Sequence, residues 1–568
     1  MTTEAIGSEE AQPHSEGECV VRISRSWSWR ATLWPLALYA ALSLSLFGVD
    51  VIGHLGSQIV ASDPIDASAF MWFFAWWPHA LLHGLNPFVT HMMFVPNGFN
   101  LTWATGMPGP SLLLAPITLA FGPAVTWNVI QLASPPLSAW TAFLLCRHVT
   151  SRTAPSLVGG YIYGFSPYML AHLTGGPQLA LVALLPVFAL LVLRRLEGSI
   201  GSRAFVLWMA LAMVAQFSIS SEGLATMTLF GSIALVLAFV LLPERRGSVL
   251  DVVKLLALAY ALTAILVSPY LLYLEFGHHY PPGATSFSAD LTSFVIPPSL
   301  VAVSHHHGAP AIGSSTESYL GVPLVLLIGW FMWQGRRSRV TWVIAGSLLI
   351  AVLFALGATL FVHGHKTSIH GPWWLLKHLP VLRYAIPVRF AVFYVLPAAL
   401  IVALLLSRWS LRQPAGIAAW GLAAVAVAFI VPNVGSSSFD TRIADPPFFA
   451  SGAYKAYIHP SDNVLTIPAW GPNERWQANT GFRFNLSDGY AGNPFPPSFT
   501  RYPAWNMFLT GRLTPDYAAQ LRRYVVDKRV TAVVVDQSVP GPWTKLFGSL
   551  GVRPVSIGGV LVYRVRPA

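Results

Sequence analysis

Apolar stretches, broken at intervals by short polar segments, run through the first three quarters of the chain. Uncharged runs of about 18 residues or more have the length of a bilayer crossing. Such runs lie near 32–49, 124–146, 154–172, 178–194, 204–220, 224–242, 252–275, 319–334, 340–361, 390–407 and 415–431, and so predict eleven spans. The run from Ser111 to Phe121 is separated from the next span by Gly122-Pro123, so it is either a lip of that span or an in-plane helix. From 432 the pattern changes. Pro432 to Phe439 reads as a Ser- and Gly-containing linker. After it come strand-like Asn463 to Pro468, helix-like Thr514 to Val525, strand-like Val530 to Asp536, helix-like Trp543 to Leu550 and a hairpin-like Val552 to Val565. That alternation predicts a small α/β domain. The expected organisation is a tail over 1–31, a membrane domain over 32–431 and an α/β domain over 432–568.

Composition agrees with the pattern. Of 568 residues 54% are hydrophobic and 10% charged, and the mean hydropathy is +0.57. A soluble core cannot hide so much apolar surface. The net charge of +11 has no nucleic-acid stripe behind it, because the cations are scattered between apolar blocks. Arg22, Arg25 and Arg30 precede the first span. Further basic groups at Arg147 and Arg152, Arg194 to Arg203, Arg245 and Arg246, Arg336 to Arg339, and Arg408 and Arg412 mark every second connection. Positive-inside bias makes those connections cytoplasmic, and an odd number of spans then puts the α/β domain on the other side. The first span lacks a small-residue cleavage site and is read as a retained helix. With Cys19 and Cys146 as the two cysteines, no disulfide framework or Cys-based metal site is expected.

The outer side then carries three long loops, 50–110, 276–318 and 362–389, and long loops on one face are where function concentrates. The first holds Ser62-Asp63-Pro64-Ile65-Asp66 ahead of an aromatic run, Phe70, Trp72, Phe73, Phe74, Trp76 and Trp77. An Asp before Pro opens a helix, since its carboxylate accepts from orphan amides while Pro presets the first turn. Asp63 therefore reads as a cap with Asp66 as its partner at the third helical position. The helix itself, rich in Trp and without charge, is expected along the membrane interface.

Three segments, Trp76-Trp77-Pro78-His79-Ala80-Leu81-Leu82-His83-Gly84-Leu85-Asn86-Pro87-Phe88, Gly164-Phe165-Ser166-Pro167-Tyr168-Met169 and Pro387-Val388-Arg389-Phe390, resemble bacterial members of the GT-C superfamily of membrane glycosyltransferases. The likeness covers most of the membrane domain. It implies a polytopic α-helical GT-C-like fold with an extracytoplasmic C-terminal domain. It also implies inverting transfer of a sugar from a polyprenyl-phosphate donor to a cell-envelope glycan or glycolipid acceptor, with an Asp of the first outer loop as general base. That role falls on Asp66 or Asp63, with Asp50, at the end of the first span, as a third candidate. No Asp-x-Asp stands in the loop, so no metal is assigned, although a divalent ion is not excluded.

Independently of the resemblance, the loop 362–389 carries cations on the side where the bias disfavours them: Lys366, Lys377, Arg383 and Arg389. They either snorkel to lipid headgroups or bind a donor phosphate. Arg389, behind Pro387 at the mouth of a span, suits forked phosphate binding best, with Lys377 and Arg383 beside it. Asp290 and Glu317 are auxiliary acidic candidates, each otherwise a solvated loop charge, as are Glu222 and Glu275. His305, His306 and His307, with His278 and His279, raise a metal hypothesis that lacks a spaced second cluster. His79 and His83 share a helix face, where packing competes with ligation. In the tail, Trp470, Trp476 and Tyr490, interleaved with Gly and polar residues, suit acceptor stacking or simply loop packing. Two other readings stay open: a transporter of a lipid-linked glycan, which calls for mid-span charges and a two-fold repeat, and an inactive scaffold.

Overall fold

The computed structural model describes residues 29–278, 287–304, 316–378, 385–435, 437–492 and 495–565. Cys19, His279, His305 to His307 and Arg383 lie outside these segments. Among the described residues, seven helices are long and apolar enough to cross a membrane, and three shorter apolar ones cover Thr32–Gly48, Arg339–Ala355 and Pro414–Phe429. Full length is thus reached by fewer stretches than the eleven expected. The stretch 154–172 is not one span but two helices, Thr153–Gly164 and Pro167–Leu173. Pro167 has no N–H and forces Ser166 into the extended region (ψ 158°), and the Ser166 hydroxyl then accepts from the Met169 amide to start the second helix. The stretch 340–361 is also shorter than expected. Its helix ends at Ala355, and Thr359–Val362 pairs with His365–His370 as a hairpin. The ambiguous run after Met107 forms two short helices, Pro108–Leu113 and Ala115–Phe121.

The helices Pro123–Thr150 and Pro387–Arg408 are the most buried of the long ones and form the centre of the bundle. Thr153–Gly164 packs against both through its glycines: a Cβ on Gly159 would lie 2.8 Å from Cys146 Sγ and 3.0 Å from the Ala399 carbonyl. Gly159-Gly160 is therefore a site of close helix approach, with no break in the helix.

The C-terminal part holds a five-stranded sheet in the order 555–557, 560–564, 532–536, 463–467, 485–486. The first two neighbouring pairs are antiparallel and the last two parallel. Its open edge is covered by the 50–110 loop, where the Leu486 amide donates to Met92 O (2.9 Å) and the amides of Val95 and Phe94 donate to Leu486 O and Asp488 O. Gln58–Ile59 pairs with Thr441–Arg442 in the same way. The expected linker is also tied down, with the Asn433 amide donating to Leu300 O (2.8 Å) and Phe439 packed on Phe47.

The aromatic helix, Pro64–Leu82, departs most from expectation. Its residues from Ala67 to Phe74, with Trp76, Trp77, Pro78 and Ala80, are buried in protein. Ala67, Phe70 to Phe74, Trp76 and Ala80 share one core with Leu465, Ile467, Phe482, Tyr524 and Val533 of the C-terminal part. The helix Pro472–Asn479 lies on it, and Trp72 Nε1 donates to Gln477 Oε1 (2.6 Å) while Gln477 Nε2 donates to the carbonyls of Met92 and Phe484. Each buried indole contributes on the order of 5 kcal/mol, at about 25 cal/mol per Å² over roughly 200 Å². The Trp-rich composition that predicts a membrane interface fits equally well under a docked domain, because both surroundings offer an apolar body and one polar partner for the indole N–H.

Candidate active site

The site is built at the start of the aromatic helix. Asp63 is its cap, in extended conformation, with Oδ1 accepting from the Ile65 amide (2.8 Å) and Pro64 at the first helical position. Asp66, at the third position, is free of that duty. Its Oδ1 accepts instead from the Tyr490 hydroxyl (2.8 Å), 424 residues further along the chain. Partial burial raises the pKa of Asp66, whose side chain still reaches solvent. The Tyr490 hydrogen bond opposes the rise, Asp63 adds to it, and the positive charge of Arg389 opposes it again, leaving the carboxyl above its ordinary value of 3.8. The Tyr490 hydroxyl is likewise held above its usual range, by burial first and by Asp66 next.

Tyr490 is placed by a buried acid. Glu474, fully buried, accepts from the Tyr490 amide (2.6 Å) and the Gly471 amide (2.9 Å). Burial, with Asp488 nearby, pushes the Glu474 carboxyl well up. Trp470 meets the Tyr490 ring edge to face at 5.6 Å, and Phe495 closes a half-buried aromatic wall beside Asp66.

Arg389 donates through Nη1 to Glu222 Oε2 (2.7 Å), with both side chains about one third exposed. Its charge reaches Asp66, Tyr168, His172 and Glu317. The His172 ring packs on Tyr168, and its buried Nε2 has no partner among the described residues. Below the Arg389–Glu222 pair, an apolar cavity of about 350 Å³ runs between helices. Leu224 and Met227, following Glu222, and Phe393 and Leu396, following Arg389, line one end of it, and it continues as far as Leu196 and Ala238. From Leu224 to Ala238 is roughly 20 Å of helix at 1.5 Å per residue.

The other predicted residues fall elsewhere or have other duties. Asp290 is buried, and its carboxylate accepts from the amides of Thr292, His363 and Gly364 and from the Thr292 hydroxyl. Those donors outweigh burial and hold its pKa below the ordinary value. It fixes the 359–370 hairpin. Trp476 is 0% exposed and stacks on Phe449 at 4.9 Å, so it offers no face to an acceptor. The pattern Glu474-Arg475-Trp476-Gln477, which reads as a polar recognition loop, is a buried helix. Asp50 lies exposed near Asp440, whose pKa is raised by burial and by Asp50. Lys377 sits over the Trp374 ring (5.8 Å), and Lys366 is exposed on the hairpin. His79 packs on Phe482 and His83, and no group of three or more metal-ligating side chains converges among the described residues. Glu222 reads from the sequence as a solvated loop charge, and the structure pairs it with Arg389. The signal was Ser220-Ser221-Glu222 opening an uncharged helix, a start signature that puts the acid in the first turn.

No family model and no curated protein matches the chain. Solved structures do. The mycobacterial arabinofuranosyltransferase AftD aligns over 96% of this chain with a TM-score of 0.55 and 15% identity, this chain spanning 42% of its length. The Archaeoglobus fulgidus oligosaccharyltransferase, in the apo form, aligns over 90% of this chain and 70% of its own, with a TM-score of 0.52 and 12% identity. Archaeal AglB in complex with an inhibitory peptide and a dolichol-phosphate covers 95% and 75%, with a TM-score of 0.52 and 11% identity. The chain has the GT-C fold.

Proposed function

We propose that this chain is a membrane glycosyltransferase that moves a sugar from a polyprenyl-phosphate donor to a glycan or glycolipid acceptor on the outer face, with inversion. The observation that carries the reading is the Asp66 carboxyl, free of capping duty, held by Tyr490 and near enough to Arg389 to feel its charge. An acceptor hydroxyl attacks the anomeric carbon, and its proton passes to Asp66. The bond from that carbon to the phosphate oxygen breaks, and polyprenyl phosphate leaves with the electron pair. Arg389 is assigned to the phosphate, because Glu222 takes one of its five N–H donors and the rest of the fork suits two phosphate oxygens. The apolar cavity beneath suits the polyprenyl chain, and a neighbour of the same fold binds a dolichol-phosphate. Trp470 and Tyr490 are assigned to the acceptor. Lys377 and Arg383 remain assigned to donor headgroup contact, and Asp63 to holding Asp66. In this reading the α/β part is extracytoplasmic and the N-terminus cytoplasmic.

The test is a pH profile. Asp66 accepts a proton only when ionised, so turnover falls as pH drops through its pKa. Because that pKa is raised, the acid limb lies at higher pH than for an ordinary Asp. Tyr490 donates to the ionised form, so Tyr490→Phe removes a stabilising bond and moves the limb further up. The limb is read from kcat/KM against pH with a radiolabelled polyprenyl-phosphate sugar in nanodiscs. An unmoved limb, or one moved to lower pH, contradicts the assignment of Asp66 as base.

A further inference from the structure

The carboxyl of Glu474 makes two contacts that lead to Asp66 by separate routes. Through Oε1 it holds the Tyr490 amide at 2.6 Å, and Tyr490 in turn donates to Asp66. Through Oε2 it holds the Gly471 amide at 2.9 Å. Gly471 sits in a conformation with φ +95°, and its ideal Cβ would lie 3.2 Å from Cγ1 and 3.7 Å from Cα of Ile65, the residue before Asp66. One buried side chain therefore braces both the loop that supplies the hydroxyl and the turn that backs the start of the aromatic helix. A helix cap alone accounts for the Gly471 contact. It does not account for the second, shorter bond to a loop 16 residues away.

We infer that Glu474 is a positioning residue for the reaction: it fixes Tyr490 against Asp66, so that the C-terminal part is a working component of the catalytic site. The inference rests on the assignment of Asp66 as base. The side chain touches no substrate, and its effect passes through Tyr490. A carboxyl can accept from two amides at once, whereas the amide of a Gln offers one acceptor oxygen and sets its NH2 against the other N–H donor. The isosteric change Glu474→Gln therefore loosens one arm while keeping volume.

Kinetics of the full chain in nanodiscs test this. Glu474→Gln is expected to lower kcat by about 10- to 100-fold, the scale of an ångström-level misplacement, with KM for the donor within about twofold. It is also expected to move the acid limb to higher pH, as Tyr490→Phe does. In the double variant the limb moves no further than in Tyr490→Phe alone, because the two residues act as one unit. Gly471→Ala, which disturbs the same turn without altering the carboxyl, reproduces the loss of kcat and covers the case in which Glu474→Gln does not fold. Wild-type kcat and limb in Glu474→Gln, or in Gly471→Ala if the first cannot be purified, overturn the inference. A loss of kcat with an unmoved limb overturns it too, since general destabilisation lowers active fraction without changing the proton affinity of Asp66. The underlying reading fails separately, by full activity of Asp66→Asn.

Discussion

Asp66→Asn lowers turnover by about 100-fold or more, the range that removal of a general base produces, while donor affinity stays near that of the wild type. The amide keeps the size of the side chain, and its oxygen still accepts from Tyr490, so the site retains its shape. What disappears is a group able to take the acceptor proton. Asp63→Asn is the matched control. Asn caps a helix as well as Asp does, and the Ile65 amide that Asp63 holds keeps its partner, so this variant retains most of its activity. Turnover by each purified variant, with donor affinity measured by titration, checks the pair. Wild-type turnover by Asp66→Asn together with a dead Asp63→Asn exchanges the two assignments.

Arg389→Ala weakens donor binding by about 100-fold and Arg389→Lys by about 10-fold, following the 1.5–3 kcal/mol typical of a hydrogen bond to a charged group. The Lys variant keeps the charge and loses the fork. The Glu222 pair offers a competing explanation, in which Arg389 serves only to neutralise a half-buried acid. Glu222→Gln separates the two. If neutralisation is the whole role, Glu222→Gln restores donor affinity to Arg389→Ala. If Arg389 grips the phosphate, the double variant binds as weakly as Arg389→Ala, and Glu222→Gln alone binds donor at least as well as the wild type. Donor titrations on the four proteins in nanodiscs decide the matter.

What the sequence reveals divides along physical lines. Local chemistry is legible. The Asp63-Pro64 start, the strand Asn463–Ile467 and the hairpin ending at Arg564 all follow from neighbours in sequence. Apolar runs locate the helices of the bundle, but run length alone does not show that Ser166-Pro167 breaks one of them or that Leu356 ends another. Long-range pairing is not legible at all. Nothing in Gly489-Tyr490-Ala491 names Asp66 as its partner, and nothing around Glu474 names Tyr490. The aromatic helix misleads for a related reason. Hydrophobicity states that Trp72 and Trp76 avoid water, and only the docked helix Pro472–Asn479 shows that protein, through Gln477, supplies the cover.

The most direct test of glycosyl transfer is product stoichiometry and anomeric configuration in one reaction. Purified protein in nanodiscs is given a doubly labelled polyprenyl-phosphate sugar and a glycan acceptor. One polyprenyl phosphate is expected to be released for each sugar joined to acceptor, with the anomeric configuration inverted and both products formed more slowly, by about 100-fold or more, with Asp66→Asn. Movement of intact labelled lipid across the bilayer of a proteoliposome, with no polyprenyl phosphate released, contradicts glycosyl transfer and identifies a transporter.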